Sequence, residues 1–304
     1  MTTRRGFTLV ELMVAMVMTV LVGGVVYRLL INNQRVSRGQ TARVGVQDNV
    51  RAGAIIAANE LREIGYDSVP VTAVAGISAV LGQAPSSDLL LAQPGRLQYR
   101  AMRGFGVTCA VPTAAQLKLR RALYYGVRDP VANDSIAIFV EGSTSIGGDD
   151  SWVRAKITGV GATTCTDGAA ALSVNLSWPN AGVGTAATAA EVQGGPVRVF
   201  EAMEMRYYVS GGKSWLGMKS LNAGGGMEPV VGPIADSTAG QRGMTLEYFD
   251  KNDVATATAT DVRAIKLTLK GVTEERVYKS GGQSSAVDTL SMSARVALRN
   301  ALRP

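Results

Sequence analysis

The chain contains no histidine. That removes the usual general base, the commonest metal ligand, and any Ser–His or Cys–His nucleophile pair. It holds only two cysteines, Cys109 and Cys165, which without histidine make a poor metal site. Aromatic residues reach 6%, and there are 10 prolines against 35 glycines in 304 residues, so turns and loops are plentiful. Proline is missing altogether before Pro70, which leaves the first fifth of the chain free to be one helix.

Strong charge of one sign is also lacking. The formal net charge of +7 divides along the chain. Arg4 and Arg5 contribute +2, Arg28 cancels Glu11 over residues 7–31, and residues 32–65 hold five arginines against three acids. Residues 66–304 carry 23 basic and 20 acidic side chains, too near neutrality to argue for nucleic acid. With 46% hydrophobic residues, the chain is long enough to bury one large core or two small ones. The two cysteines lie 56 apart. Outside the cytoplasm such a pair reads as a disulfide, worth roughly 4 kcal/mol on the chain-entropy model. The alternative is two buried free thiols.

What the chain does have is one apolar run at its front. Residues 4–24 read RRGFTLVELMVAMVMTVLVGG, and from Phe7 to Tyr27 the one charge is Glu11. About 20 apolar residues span a bilayer as a helix. Arg4 and Arg5 predict a cytoplasmic N-terminus, with everything after the span outside. A secretory signal places its small-residue cleavage site after the apolar core. Here the small residue, Gly6, comes before it. A carboxylate inside the span costs about 2.5–3.5 kcal/mol on insertion scales, so Glu11 needs a partner or must reach the headgroups.

The stretch Gly6-Phe7-Thr8-Leu9-Val10-Glu11, with its basic leader and apolar sequel, resembles the type IV prepilin signal. The resemblance implies that a prepilin peptidase removes the leader, residues 1–6, by cutting between Gly6 and Phe7, and methylates the new Phe7 amine. It also implies that Glu11 meets the N-terminal amine of a neighbouring subunit during assembly. Residues 7–31 would rest in the inner membrane with the head in the periplasm, then form fibre core at the cell surface.

Val50, Ala54, Ala57, Leu61 and Ile64 recur at spacings of four and three, one apolar stripe on a helix, with Gly65 as its C-cap. The pattern predicts a helix over 7–64, about 87 Å long. It is apolar all round over 7–31 and amphipathic over 32–65. Beyond it come short extended runs ended by Gly, Pro, Asn or Asp: SDLLLAQPGRLQYRA, a hairpin around Pro94-Gly95, then LRRALYYGV, SIAIFVEG, WVRAKITGV, LSVNLSW and others. The last, at 289–300, alternates Leu290, Met292, Ala294, Val296 and Leu298 on one face. The second half of 170–195, rich in Ala, Gly and Thr, reads as a loop. A long helix followed by many strands predicts an α+β fold, a pilin helix packed on an antiparallel β-sheet head comprising 66–304.

NELREIGYD at 59–67 resembles the helix end of the large minor pilins of the PilW kind. MRYYVSGGKSWLGMKS, EPVVGPIAD, LEYFD, VRAIKLTL and VALRN follow in the order those proteins show. The stretch 70–200 resembles nothing that can be named. The proline many pilins carry near the twenty-second mature residue is replaced by Arg28, with Gly23 and Gly24 as weak substitutes. The resemblance implies a structural, non-enzymatic subunit at or near the tip of a type IV pilus, primed for assembly with other minor pilins. The major pilin and the inner-membrane assembly platform would be further partners. The J-type pseudopilin of type II secretion shares this architecture and is the alternative.

Two further readings remain. Arg96, Arg100, Arg103, Lys118, Arg120, Arg121 and Arg128 occur without an acid between Asp88 and Asp129, interleaved with Tyr99, Phe105, Tyr124 and Tyr125. Basic groups among aromatics suit a nucleic-acid backbone, and minor pilins include DNA-uptake receptors; the plain alternative is solvated faces of edge strands. An adhesive tip is equally open, since loop-borne specificity is not legible from one sequence. Asp149-Asp150 and the Asp250-Lys251-Asn252-Asp253 run have oxygen ligands for calcium but read as turns. Gly224-Gly225-Gly226 lacks the Lys-Ser/Thr of a phosphate loop. No metal or cofactor is expected.

Overall fold

The computed structural model describes residues 8–64, 88–113, 115–141, 151–177, 192–236, 242–278 and 285–298. One α-helix, α1, spans Leu9–Arg62, 54 residues and roughly 80 Å. Thr8 caps its start, and at its end the Glu63 N–H donates to the Glu60 carbonyl at 3.1 Å and the Ile64 N–H to the Leu61 carbonyl at 3.4 Å. Gly65, the expected cap, lies outside the described residues. Every side chain from Thr8 to Leu30 is exposed. Burial begins on the amphipathic stripe, at Val50, Gly53, Ala54, Ala57, Ala58 and Leu61.

The strands are β1 (Leu89–Gln93), β2 (Arg96–Thr113), β3 (Gln116–Arg120), β4 (Tyr125–Gly126), β5 (Ser135–Val140), β6 (Ser151–Thr164), β7 (Ala170–Ser177), β8 (Pro196–Ser210), β9 (Lys213–Ser220), β10 (Glu228–Ile234), β11 (Met244–Phe249), β12 (Ala264–Val272), β13 (Val277–Tyr278), β14 (Ser285–Ala286) and β15 (Thr289–Ala297). All but β13 and β14 join one 13-stranded sheet. Its pairings are antiparallel, so the α+β expectation, long helix then antiparallel sheet, holds. The run 119–127 divides rather than forming one strand: β3 ends at Arg120 and a 3-10 turn over Arg121–Leu123 leads into β4.

The sheet has two parts with separate cores. In the first, β1, the front of β2, the back of β8, and β9, β10, β11, β12 and β15 form a lobe against which α1 lies. Val50, Leu61 and Ile64 of the helix meet Leu97, Tyr99, Met205, Leu216, Ile265 and Leu267 of the sheet there. Two glycines permit the close approach. A side chain at Gly53 would strike Val231, and one at Gly271 would strike Val46 and Val50. Lower on the helix, Val277 of the β13–β14 hairpin sits beside Gly39, and Arg43 pairs with Asp288 at 2.6 Å.

The second part closes on itself. β2 pairs with β3, β3 with β7, β7 with β6, β6 with β5, β5 with β8, and β8 with β2 again. This is a six-stranded antiparallel barrel. Alternate residues of each strand fill it: Leu117 and Leu119, Ile136 and Ile138, Val153 and Ile157, Val174 and Leu176, Val197 and Val199. On β2 the interior positions are Gly104 and Gly106, and the Tyr124 ring lies over both. The unnamed stretch of the sequence is largely this barrel.

β2 and β8 run through both parts. Their register slips once, between Met102↔Phe200 and Gly104↔Val199, leaving Arg103 as an extra residue. The bulge reverses parity on β2, so Leu97, Tyr99 and Ala101 face the lobe core while Gly104 and Gly106 face the barrel core.

Candidate functional site

Three groups of residues bear on function: the start of α1, the basic run of β2–β4, and the cysteine pair. At the start of α1, Thr8 and Glu11 form a reciprocal capping box. The Thr8 N–H and hydroxyl donate to Glu11 Oε2 at 3.0 and 3.1 Å, and the Glu11 N–H donates to Thr8 Oγ1 at 3.3 Å. Two free N–H groups of the first turn are thereby satisfied, and the carboxylate has partners within its own chain. Gly6, Phe7 and the leader 1–6 lie outside the described residues. The helix that follows is long and apolar enough to cross a membrane.

The seven basic residues that crowd the sequence from 96 to 128 do not form one surface. Each has a partner, and most partners are far away in sequence. Arg96 donates to Glu204 at 2.6 Å, and Arg100 lies 4.0 Å from Asp88. Arg103 bridges Glu60 of α1 at 2.9 Å and Glu201 of β8 at 3.0 Å. Lys118 donates to the Thr164 carbonyl at 2.8 Å, and Arg120 and Arg121 pair with Asp167 and Asp129. Arg128 meets Asp134 at 2.7 Å and Glu201 at 3.0 Å. A backbone of phosphates would have to displace these carboxylates, so the run offers little unmatched charge. The plain alternative holds in part: Arg103 is nearly buried, whereas Arg96 and Arg121 are ion-paired yet remain 42% and 48% exposed.

Arg103 and Arg128 belong to one continuous chain of polar contacts. Tyr99 Oη donates to Glu60 at 3.2 Å, Glu60 and Glu201 accept from Arg103, Glu201 and Asp134 accept from Arg128, and Asn222 donates to Asp134 at 3.1 Å. Burial pushes the Glu201 carboxyl up, but hydrogen bonds from Ser220, Arg128 and Arg103 outweigh it and hold it below the usual carboxylate range. The Tyr99 phenol is pushed well above its ordinary value by burial and then by the Glu60 charge. The bulge at Arg103 is what aims its guanidinium at both carboxylates.

Cys109 and Cys165 are bonded, with their Cα atoms 5.7 Å apart. The bond joins β2 to the β6–β7 turn, which comes close to β2 although β3 lies between β2 and β7 in the sheet order. The β2–β3 pairing is interrupted by two register shifts. Lys118 and Arg120 fasten the same turn from β3, so the disulfide and two basic residues together clasp the least regular seam of the barrel.

The 250–253 run is a turn. Asp250 Oδ1 accepts from the Asn252 and Val254 N–H groups at 2.8 and 2.9 Å, and Asp253 pairs with Arg295. Asp149 and Asp150 lie outside the described residues, as does most of the loop expected over the second half of 170–195. Reading the sequence for acid-free stretches also missed Arg206 and Lys219, which stand across the sheet from Arg96 and Glu204. Only the strand register brings them together, and no local pattern announces it.

Comparison with known proteins locates the chain by its front. The prokaryotic N-terminal methylation motif matches residues 1–27. The chain thus carries a type IV prepilin-like signal, and the match supports a type IV pilin-like or pseudopilin protein of structural type. Motif and apolar helix together fit anchoring in a membrane before assembly with other pilin-type subunits. No curated protein and no solved structure matches the chain.

Proposed function

We propose that the chain is a minor pilin, a structural subunit that primes assembly of a type IV pilus and sits at or near its tip. The observation that carries the reading is the combination of the methylation motif with an apolar helix exposed over its whole first half. A helix so bare needs either lipid or other helices around it. The barrel supports an end position, because it adds a second core beside the helix-covered lobe and gives the head bulk that a close-packed shaft would have to accommodate at every subunit.

In this role the peptidase cuts between Gly6 and Phe7, Phe7 is N-methylated, and the N-terminus starts in the cytoplasm with the head in the periplasm. Residues 7–31 hold the subunit in the inner membrane, and 32–65 carry the head. The Thr8–Glu11 box gives the carboxylate partners while the subunit waits in lipid, and exchange for the Phe7 amine of a neighbour registers the subunits. The partners are other minor pilins, the major pilin and the inner-membrane assembly platform. The work needs no cofactor.

The test is to shear fibres from native cells and determine the N-terminus of this chain by mass spectrometry. N-methyl-Phe7 in the sheared fraction is the expected result. N-methyl-Phe7 confined to membranes would instead favour a secretion pseudopilin, and a start at Met1 or Thr2 would sink both.

A further inference from the structure

The helix covers one face of the sheet lobe. On the opposite face the charges do not balance. The Glu204 side chain on β8 is fully buried, and it accepts at Oε2 from Arg96 Nε at 2.9 Å, Arg96 Nη2 at 2.6 Å and Gln98 Nε2 at 2.6 Å. Arg206 Nε lies 3.3 Å from the other oxygen, Oε1. Arg96 and Arg206 are directly opposed across β2 and β8, and Lys219 is directly opposite Glu204 across β8 and β9. Two guanidiniums therefore share one carboxylate, and Lys219 adds a third cation at the neighbouring position across the strands.

Like charges directly opposed on a sheet destabilise it, and the buried carboxylate offsets only part of that. It holds the Arg96 guanidinium by two hydrogen bonds, whereas Arg206 Nε and Glu204 Oε1, though near each other, are buried without a hydrogen bond. Among the described residues Arg206 pairs with Glu204 alone and Lys219 makes no ion pair, and the Arg96 and Arg206 side chains remain 42% and 40% exposed. Partly exposed guanidiniums, one of them already ordered by its hydrogen bonds, are suited to binding further carboxylates.

Two residues along the strands, on the same face, Tyr208 and Trp215 stand directly opposed. The Tyr208 ring lies where a side chain on Gly217 would be, with Met227 beside it, and the Trp215 ring lies over Gly232. Arginine, tyrosine, tryptophan and methionine are the residue types enriched where proteins meet proteins.

We propose that this face docks a second protein through an acidic patch on that protein, with carboxylates completing the coordination of Arg96, Arg206 and Lys219 and apolar contact made on Tyr208 and Trp215. A phosphodiester polymer is the poorer occupant. Backbone binders commonly make on the order of six to ten phosphate contacts, and this face offers three cations with one carboxylate already among them. Complementary charge would orient the encounter and the aromatic pair would hold it. Because the face lies opposite α1, a bound partner leaves the helix free for assembly.

The experiment is zero-length cross-linking of native cell envelopes with a water-soluble carbodiimide, which joins an amine to a carboxylate in contact. Peptide mapping is expected to find Lys219 joined to an Asp or Glu of a second protein. Arg206→Glu should lower that yield at least tenfold and Arg206→Gln should lower it less, while Arg121→Gln, whose guanidinium is already matched by Asp129, should leave it unchanged. Retention of the Cys109–Cys165 bond and of near-ultraviolet dichroism would show that each variant is folded. Lys219 joined only to Glu204, or unjoined while other lysines react, would overturn the proposal. So would binding of labelled oligothymidylate by the full chain in detergent micelles, if Arg206→Glu abolished it. N-methylation of Phe7 is read in the same samples, so failure of the pilin assignment is seen separately.

Discussion

In the helix-covered lobe β1, β11 and β15 are strands paired with one neighbour each among the described strands, and the core is completed by α1. In the barrel each of six strands is paired on both sides, and among the described residues the core is made by the strands with Tyr124 and Val192. The lobe thus borrows a wall from the stalk, whereas the barrel supplies all of its own. A load or substitution on the helix should therefore reach the lobe directly, and reach the barrel only through β2, β8 and the polar chain at Arg103.

The sharpest way to break that contrast is to cut the shared wall. Leu61→Ala removes a fully buried side chain of α1 and should cost about 2–5 kcal/mol. Amide exchange, followed by mass spectrometry, should accelerate in β12 and β15 while β5, β6 and β7 stay protected. Ile138→Ala, in the barrel core, should give the reverse pattern.

Next comes the clasp. Cys109→Ser with Cys165→Ser releases a loop closed over 56 positions, worth up to about 4 kcal/mol on the chain-entropy model. The loss should appear as a lower unfolding midpoint, with faster exchange along the β2–β3 seam. An unchanged midpoint would mean that Lys118 and Arg120 suffice to hold the turn.

Arg103→Gln tests whether the two parts unfold as one. It leaves Glu60 without its cation and Glu201 with Arg128 alone, at a cost of about 3 kcal/mol. Thermal unfolding is expected to split into two transitions; one shifted transition would show that the strands alone couple the parts.

The smallest effect is on acid stability. The Glu201 and Glu204 carboxyls, pushed up by burial, are brought below their ordinary value near 4.5 by hydrogen bonds and the neighbouring arginines. The unfolded chain then binds protons more readily, so their contribution is complete above about pH 4.5 and fades as pH falls towards the lower folded values. Glu204→Gln should flatten part of that fall, as read from unfolding midpoints at pH 3, 4 and 5.

Much of the helix was legible because its signals are local: no proline before Pro70, and Val50, Ala54, Ala57, Leu61 and Ile64 on one stripe. Strand positions were legible for the same reason, as with the turn at Pro94 and Gly95 between β1 and β2. Closure of the barrel was not. It depends on β2 meeting β8 about a hundred residues later, and alternation shows which side of a strand is buried but not which strand lies beside it. The pairing of the basic run was not legible for a related reason. Its acids, Glu60, Asp134, Asp167, Glu201 and Glu204, all lie outside the window in which it looked unmatched.

The slip at Arg103 carries a further consequence. Above it, β2 and β8 are an ordinary antiparallel pair of the lobe; below it, the same two strands are staves of the barrel. The barrel is in effect the connection of a β-hairpin grown into a domain, entered and left by adjacent strands at Met102 and Phe200. A graft at that pair would meet the lobe through neighbouring chain ends. The head is thereby arranged as a holder with an exchangeable bit, and a different barrel, or a two-residue turn, is a substitution the holder is shaped to receive.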